Sequence, residues 1–512
     1  MADLLMGLDL GTSGVKALLL NPAGSVVASA SAEYPLYHPQ PGWAEQHPAD
    51  WWAGTVAAIR ACLERAAPAG YAPADVRGLA ISGQMHGAVL LDAADAVLRP
   101  AIIWADQRTG AECDEITRIV GQERLIDLVS NPALPGFTAP KLLWVRNHEP
   151  AVWAQVRHVL LPKDWLRYRL TGTMAQEISD AAGTCLLDVT QGTWSAAVLA
   201  ALDLAPDLFP PIVGSAVVAG TLTAAAAAAT GLPVGLPIAG GGADNACAAV
   251  GAGIVQPGQA LISIGTSGVV LAYSATPSVD RSGPIPRAHT FNHAVPDAWY
   301  LMGVTQGAGL SLRWVRDQLG ALEQGQAAAT GRDAYAVLTD EAADIPPGSA
   351  GLLFLPYLQG ERTPILDGQA RGGWIGLTAA HTRAHLVRAV LEGVAFSLRD
   401  CLGVLQASGV AVTEIRATGG GMRSPLWREI VAAVCGEPLV PLATEEGPAL
   451  GAALLAGVAV GSYPDIPAAC AQVVRLAAPT VPEVTAMARY ADLYPLYQGL
   501  YPALRVTMHA LS

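Results

Sequence analysis

The chain opens on an apolar run from Leu4 to Leu10, passes through Gly11-Thr12-Ser13-Gly14, and continues with a second apolar run from Val15 to Leu20 that ends at Asn21-Pro22-Ala23-Gly24. Short apolar runs bounded by glycine, hydroxyl residues and proline predict strand, tight turn, strand. The same pattern recurs where Ala260 to Ile264 leads into Gly265-Thr266-Ser267-Gly268 and leaves through Val269 to Ala272. The offset is close to half of the chain, as duplication of one domain would leave it. Glycines and Pro257 interrupt the pattern between Gly251 and Gly258, which predicts an N-terminal domain over residues 1–253 and a C-terminal domain over 254–512. Between the hairpins, helical and strand-like segments alternate. Pro48 to Ala66 reads as a helix with proline in its first turn, and Val76 to Ile81 as a strand. Thr223, six alanines, Thr230 and Gly231 read as a packed helix ended by a glycine cap. The class is α/β, and 512 residues exclude a single small core.

Composition narrows the function classes. Residues are 52% hydrophobic and 14% charged, which favours burial and excludes global disorder. The net charge of −13 comes without a basic patch, which argues against nucleic acid or an anionic membrane surface as partner. The uncharged stretch between Asp207 and Asp244 is long enough to cross a bilayer, but Pro210, Pro211, Pro233 and Pro237 break it into short pieces. Lysine occurs only at Lys16, Lys141 and Lys163, none after a glycine, so the Gly-Lys-Ser/Thr end of a P-loop is absent. No GxGxxG follows a predicted strand, which counts against a nicotinamide-dependent dehydrogenase. The seven cysteines form no CxxC pair, and the first residues lack the cationic start of a signal peptide, so the expected address is the cytoplasm.

The chemistry gathers at the turns. A strand that carries an acid near its end and then Gly-Thr-Ser-Gly presents backbone N–H groups, two hydroxyls and a carboxylate around a concave turn, a set that suits a metal–phosphate. Asp9 is the candidate Mg²⁺ ligand, and Gly11, Thr12, Ser13, Gly265, Thr266 and Ser267 are the candidate phosphate contacts. An ordinary hairpin turn is the alternative. A third cluster, Thr418-Gly419-Gly420-Gly421-Met422-Arg423-Ser424-Pro425, stands between a strand over Glu414–Ala417 and a helix from about Leu426. Its bare backbone could admit an adenine ring or serve only as a packed loop. Gln84 and His86 sit at the glycine-flanked tip of a strand, where α/β sheets place ligands, although a lone histidine is more often structural. Asp244 breaks the uncharged region, so it needs a partner, a metal or a catalytic task, unless it merely caps the helix that follows. Trp104-Ala105-Asp106-Gln107-Arg108 offers an aromatic wall with an acid and a cation that could pair or hold hydroxyls.

Together these motifs resemble the FGGY family of carbohydrate kinases. Gly136-Phe137-Thr138-Ala139-Pro140-Lys141 through His148 resembles its first signature, and Gly372-Gly373-Trp374-Ile375-Gly376-Leu377 through Leu391-Glu392 its second. The resemblance implies two duplicated actin-like (ribonuclease H-like) ATPase domains with a cleft between them. It implies ATP and Mg²⁺, a small-molecule sugar as partner, and a homodimer. The tip Gln84-Met85-His86-Gly87, with Trp104, Asp106, Arg108 and Gly360-Glu361-Arg362-Thr363-Pro364, is most similar to family members that phosphorylate D-xylulose. By this resemblance Met85, His86, Asp244 and Asn245 line the sugar site, with Trp104 and Arg108 beside them. Asp244 is the proton acceptor, Asp9 serves Mg²⁺ and phosphate, and Gly420, Gly421 and Ser424 lie near the nucleotide. In one departure, Ala243 stands between the glycine run and Asp244. Another ketose or polyol, or an actin-like ATP-switched binding protein, are the competing expectations.

Overall fold

The computed structural model describes residues 3–444 and 446–511. Leu4, Leu5, Met6, Leu8 and Leu10 are all fully buried, so the first run is covered on both faces, which is why it reads as continuous and not alternating. It forms β1 (Leu4–Leu10), paired antiparallel with β2 (Gly14–Leu20), which pairs antiparallel with β3 (Val26–Glu33). On the other side of β1 runs β4 (Val76–Gly83), parallel to it. Beyond β4 lie β5 (Val218–Thr221), β6 (Pro237–Ala239) and the short β7 (Gly242–Ala243), of which β6 and β7 are parallel to β4.

The second sheet repeats this wiring. It contains β8 (Gly258–Ile264), β9 (Gly268–Ser274), β10 (His289–Asn292), β11 (Trp299–Thr305), β12 (Val412–Thr418) and β13 (Leu439–Pro441). The order β3-β2-β1-β4-β6 in the first sheet corresponds to β11-β9-β8-β12-β13 in the second, with the same antiparallel and parallel pairings. The recurring Gly-Thr-Ser-Gly turns therefore occupy equivalent corners of two like-wired sheets. The fold is thus two domains of mixed α/β sheets related by the repeat.

Helix α1 (Pro48–Ala66) begins and ends at the residues that the sequence predicts and packs on β2 and β3. α2 (Ala224–Thr230) is capped by the Thr223 hydroxyl, which accepts from the Ala226 amide, and by Gly231. α3 (Asp244–Gly251) starts one residue earlier than expected. Ala243 is its N-cap residue, and Asp244, already inside the first turn, accepts only from Asn245 beside it and leaves one oxygen open, so a simple N-cap role does not account for Asp244. The second domain carries α4 (Arg383–Ala407) and α5 (Pro425–Cys435), whose N-cap is Ser424. Helix α6 (Pro448–Ala459), rich in alanine and leucine, returns to lie on β1, β4 and α3. Its apolar residues join one core cluster with β1, β4 and α3. Among the described residues no helix is long and apolar enough to cross a membrane.

Candidate active site

Strand register places the two acids together. Asp9 pairs with Ser82 across β1 and β4, and Ser82 pairs with Gly242 across β4 and β7, so Asp9 and the start of α3 stand at neighbouring strand ends. The Ser82 hydroxyl donates to Asp9 Oδ1 at 3.0 Å, and the other Asp9 oxygen has no hydrogen-bond partner among the described residues. Asp244 Oδ1 accepts from the Asn245 amide (2.7 Å) and from Asn245 Nδ2 (2.9 Å), which leaves its second oxygen open. Burial, and then the negative charge of Asp9, push the Asp244 carboxyl up to about 7. Burial also raises Asp9, against the Ser82 hydrogen bond and the Lys16 charge. Two carboxyls pushed toward neutrality at one site are what a proton acceptor working near pH 7 requires.

Behind Asp244 lies a sealed ionic cluster. Lys163 Nζ stands 2.8 Å from Asp164, 3.4 Å from Glu177 and 3.8 Å from Asp180, all fully buried. Glu177 holds the Ser179 hydroxyl, whose oxygen accepts from the Ala243 amide at 3.0 Å. The cluster thus fixes the backbone one residue before Asp244.

His86 is held from three directions. Its Nδ1 lies 2.6 Å from the Gly183 carbonyl, which can only accept, so Nδ1 carries the proton and Nε2 is left as an acceptor. Lys141 Nζ and the Thr138 hydroxyl both donate to the His86 carbonyl, at 2.8 and 3.1 Å, and the Phe137 ring packs against the imidazole at 4.7 Å. The first signature therefore works by fixing His86. Burial, with Lys141 next, drives the imidazole well below its ordinary range and keeps it neutral. Residue 183 must be glycine, because a Cβ there would lie 2.6 Å from His86 Nδ1. Met85 Sδ receives Asn245 Nδ2 at 3.7 Å and the Tyr300 hydroxyl at 3.9 Å, which joins the first domain to β11 of the second.

Both Gly-Thr-Ser turns occupy their carbonyls and leave amides free. The Gly11 carbonyl accepts from the Tyr34 hydroxyl and the Thr12 carbonyl from Gln46 Nε2, whereas the Thr12 and Ser13 amides have no partner among the described residues. In the second turn the Gly265 and Thr266 carbonyls accept from the Gly309 and Leu310 amides, and the Thr266 and Ser267 amides are equally free. Unpaired amides on a concave turn form an anion cradle. Beside the second cradle opens a cavity of about 480 Å³ lined by Gly265, Thr266, Gly420, Gly421 and Ser424, together with Gly309, Arg313, Asp333 and Tyr335. Gly419 enters this loop at φ 91, and a Cβ there would meet the Ile264 carbonyl at 2.6 Å. The Ser424 hydroxyl accepts from the Trp427 amide as N-cap of α5.

Most expected site residues fall into these two groups. Trp104 is 40% exposed and its indole N–H donates to the Thr12 hydroxyl at 2.8 Å, so the aromatic wall stands over the first cradle. Gln84 supports the same turn through the Gly11 carbonyl and Gln46. Arg108 is different. Its guanidinium is sealed 3.6 Å over the Trp43 ring, with Asp106 on Nε and Nη2 and Glu45 2.8 Å from Nη1, so its charge is consumed inside the wall and does not reach a ligand directly. Sequence reasoning missed Gly183, Tyr300, Arg313, Asp333 and Tyr335. Gly183 meets His86 from 97 positions away, a contact for which no local pattern exists.

Residues 4–251 match the N-terminal domain of the FGGY family of carbohydrate kinases and residues 260–460 its C-terminal domain. The chain belongs to the FGGY family of carbohydrate kinases. It is 40% identical over 496 residues to a xylulose kinase of Bacillus subtilis (strain 168), covering 97% of this chain and 96% of that protein. A xylulose kinase of Escherichia coli (strain K12) is 42% identical over 455 residues, covering 89% and 90%. The crystal structure of a xyloylose kinase from Brucella ovis superposes with a TM-score of 0.89 at 40% identity, covering 99% of this chain and 100% of that one. As an FGGY kinase, the protein uses ATP as phosphoryl donor and an alcohol as acceptor.

Proposed function

We propose that this FGGY kinase transfers the γ-phosphoryl group of ATP to the C5 hydroxyl of D-xylulose, giving D-xylulose 5-phosphate and ADP. One observation carries the mechanism: Asp244, pushed up to about 7, keeps an open oxygen beside Asn245, Met85 and His86. The xylulose kinases to which the chain is 40% and 42% identical support the choice of sugar. As the C5 oxygen attacks the γ-phosphorus, its proton passes to Asp244 and the bond to the β–γ bridging oxygen breaks. Positioning and charge neutralisation dominate such transfers, and a general base contributes about 10²- to 10⁴-fold. The two amide cradles grip the phosphates, and the cavity at Gly420 and Gly421 takes the adenosine.

The free oxygen of Asp9 fits a Mg²⁺ ion, which takes one or two carboxylates alongside nucleotide phosphates and water. When bound, the ion neutralises phosphate charge, and Asp9 is the residue that would hold it. Met85 reaches across to Tyr300, so the sugar site is built from both domains and closes as they approach. A cytoplasmic address fits seven free cysteines, and a homodimer follows from the family resemblance alone.

ADP release with Mg·ATP against D-xylulose, L-xylulose, D-ribulose, L-ribulose, glycerol and no sugar tests the assignment. D-xylulose is expected to stimulate most. A larger response to another acceptor removes the sugar assignment, and no response from any acceptor removes the catalytic one. Small-angle scattering with both ligands should show a smaller radius, and an unchanged radius counts against closure.

A further inference from the structure

The segment Gly360-Glu361-Arg362-Thr363-Pro364 has no task in the mechanism so far, yet its backbone is fixed on both sides of Arg362. The buried Glu361 carboxylate accepts from the Thr305 hydroxyl (2.6 Å), the Gln306 amide (2.9 Å) and the Arg362 amide (2.7 Å). Thr363 donates its amide to the Val304 carbonyl at 3.0 Å and its hydroxyl to the Arg287 carbonyl at 2.6 Å. These bonds pin the loop to the end of β11, whose neighbour β10 carries His289 and Phe291. The Phe291 ring lies 6.1 Å from the His86 ring and 5.6 Å from that of His289, so this corner of the second domain faces the sugar site of the first.

Between two anchored neighbours, the Arg362 guanidinium has no hydrogen bond or ion pair among the described residues; the residue keeps solvent access, while partial enclosure lowers the guanidinium pKa and the adjacent Glu361 charge raises it. The guanidinium charge acts on His86 and on His289, lowering both. The loop that carries it is pinned to the end of β11 beside β10, which anchors Arg362 at the His86–His289 end of the site. Guanidinium only donates, whereas His86 Nε2 only accepts. A carbonyl oxygen next to a hydroxyl satisfies both.

We propose that Arg362 is a specificity residue for the acceptor, donating to the ketone oxygen of the sugar while His86 accepts from the adjacent C1 hydroxyl. This rests on D-xylulose being the acceptor. A polyol offers a hydroxyl where the ketone would be, a weaker acceptor that must also place its own proton.

The test compares wild type, Arg362→Met and Arg362→Lys for kcat and KM with D-xylulose and with xylitol, with melting temperature and ADP affinity by calorimetry as folding controls. Arg362→Met should raise KM for D-xylulose about 10- to 100-fold, the loss of one charged hydrogen bond, and change kcat/KM for xylitol far less. Should Arg362→Met not fold, Arg362→Lys carries the same expectation at smaller amplitude, since it keeps the charge and loses the fork. Unchanged KM for D-xylulose, or equal losses for both acceptors, overturns the inference while D-xylulose stays the acceptor. A wild-type enzyme that prefers a non-ketose acceptor overturns both proposals.

Discussion

Asp244→Asn should separate chemistry from stability. Burial and Asp9 move the Asp244 carboxyl from 3.8 to about 7, and about three pKa units at 1.36 kcal/mol each amount to about 4 kcal/mol. The sign follows from proton counting. Below about pH 4 both folded and unfolded chains hold the proton, and the acid exacts no penalty. Between pH 4 and 7 the folded state binds more protons than the unfolded one, so stability falls as pH rises, and above pH 7 the whole penalty is present. Asparagine removes it, so the variant should gain about 2–4 kcal/mol at pH 8, the lower value allowing for water in the cleft, and almost nothing near pH 4. At the same time turnover should fall about 10²- to 10⁴-fold, or about 3–5 kcal/mol of barrier. In the wild type, kcat/KM should fall tenfold per pH unit below about 7. His86 and His289 are pulled far below that range by burial and cannot own this limb. Lys141, pulled down to about 7, loses charge as pH rises, so any effect of its titration falls on the opposite limb. Coupled ADP release across pH 5.5 to 8.5 and urea unfolding near pH 4.5 and at pH 8 read both quantities. A flat wild-type profile, or a stability gain equal at both pH values, refutes the reasoning.

Three further outcomes follow from the geometry. Gly183→Ala drives a Cβ to 2.6 Å from His86 Nδ1, so KM for the sugar should rise about tenfold or more while calorimetry finds ADP affinity unchanged. Arg108→Met leaves Asp106 buried without its cation, while Glu45 keeps Arg99 at 2.7 Å, and urea unfolding should show a loss of about 3–5 kcal/mol. Gly419→Ala forces a side chain into φ 91 against the Ile264 carbonyl at 2.6 Å, so KM for ATP should rise several-fold and KM for sugar at saturating ATP should not.

The like-wired sheets were legible because duplication repeats a local pattern, and a strand buried on both faces announces itself as an apolar run. Asp244 was legible for a related reason, since a carboxylate in a long uncharged stretch needs a task. What escaped was whatever depends on distant packing. Arg108 carries the same composition cue as a sugar contact, yet Trp43, Glu45 and Asp106 enclose it, and no spacing rule tells an arginine that faces a cleft from one that braces its wall. Gly183 sits in an unremarkable Ala-Ala-Gly-Thr run and matters only because the chain returns it to His86. Arg362 reverses the case of Arg108. Glu361 spends its carboxylate on the Thr305 hydroxyl and the Gln306 and Arg362 amides, and Thr363 bonds the Val304 and Arg287 carbonyls, so the guanidinium between them makes no ion pair with Glu361. The positions of the two arginines, one enclosed and one open, decide which of them can choose a substrate.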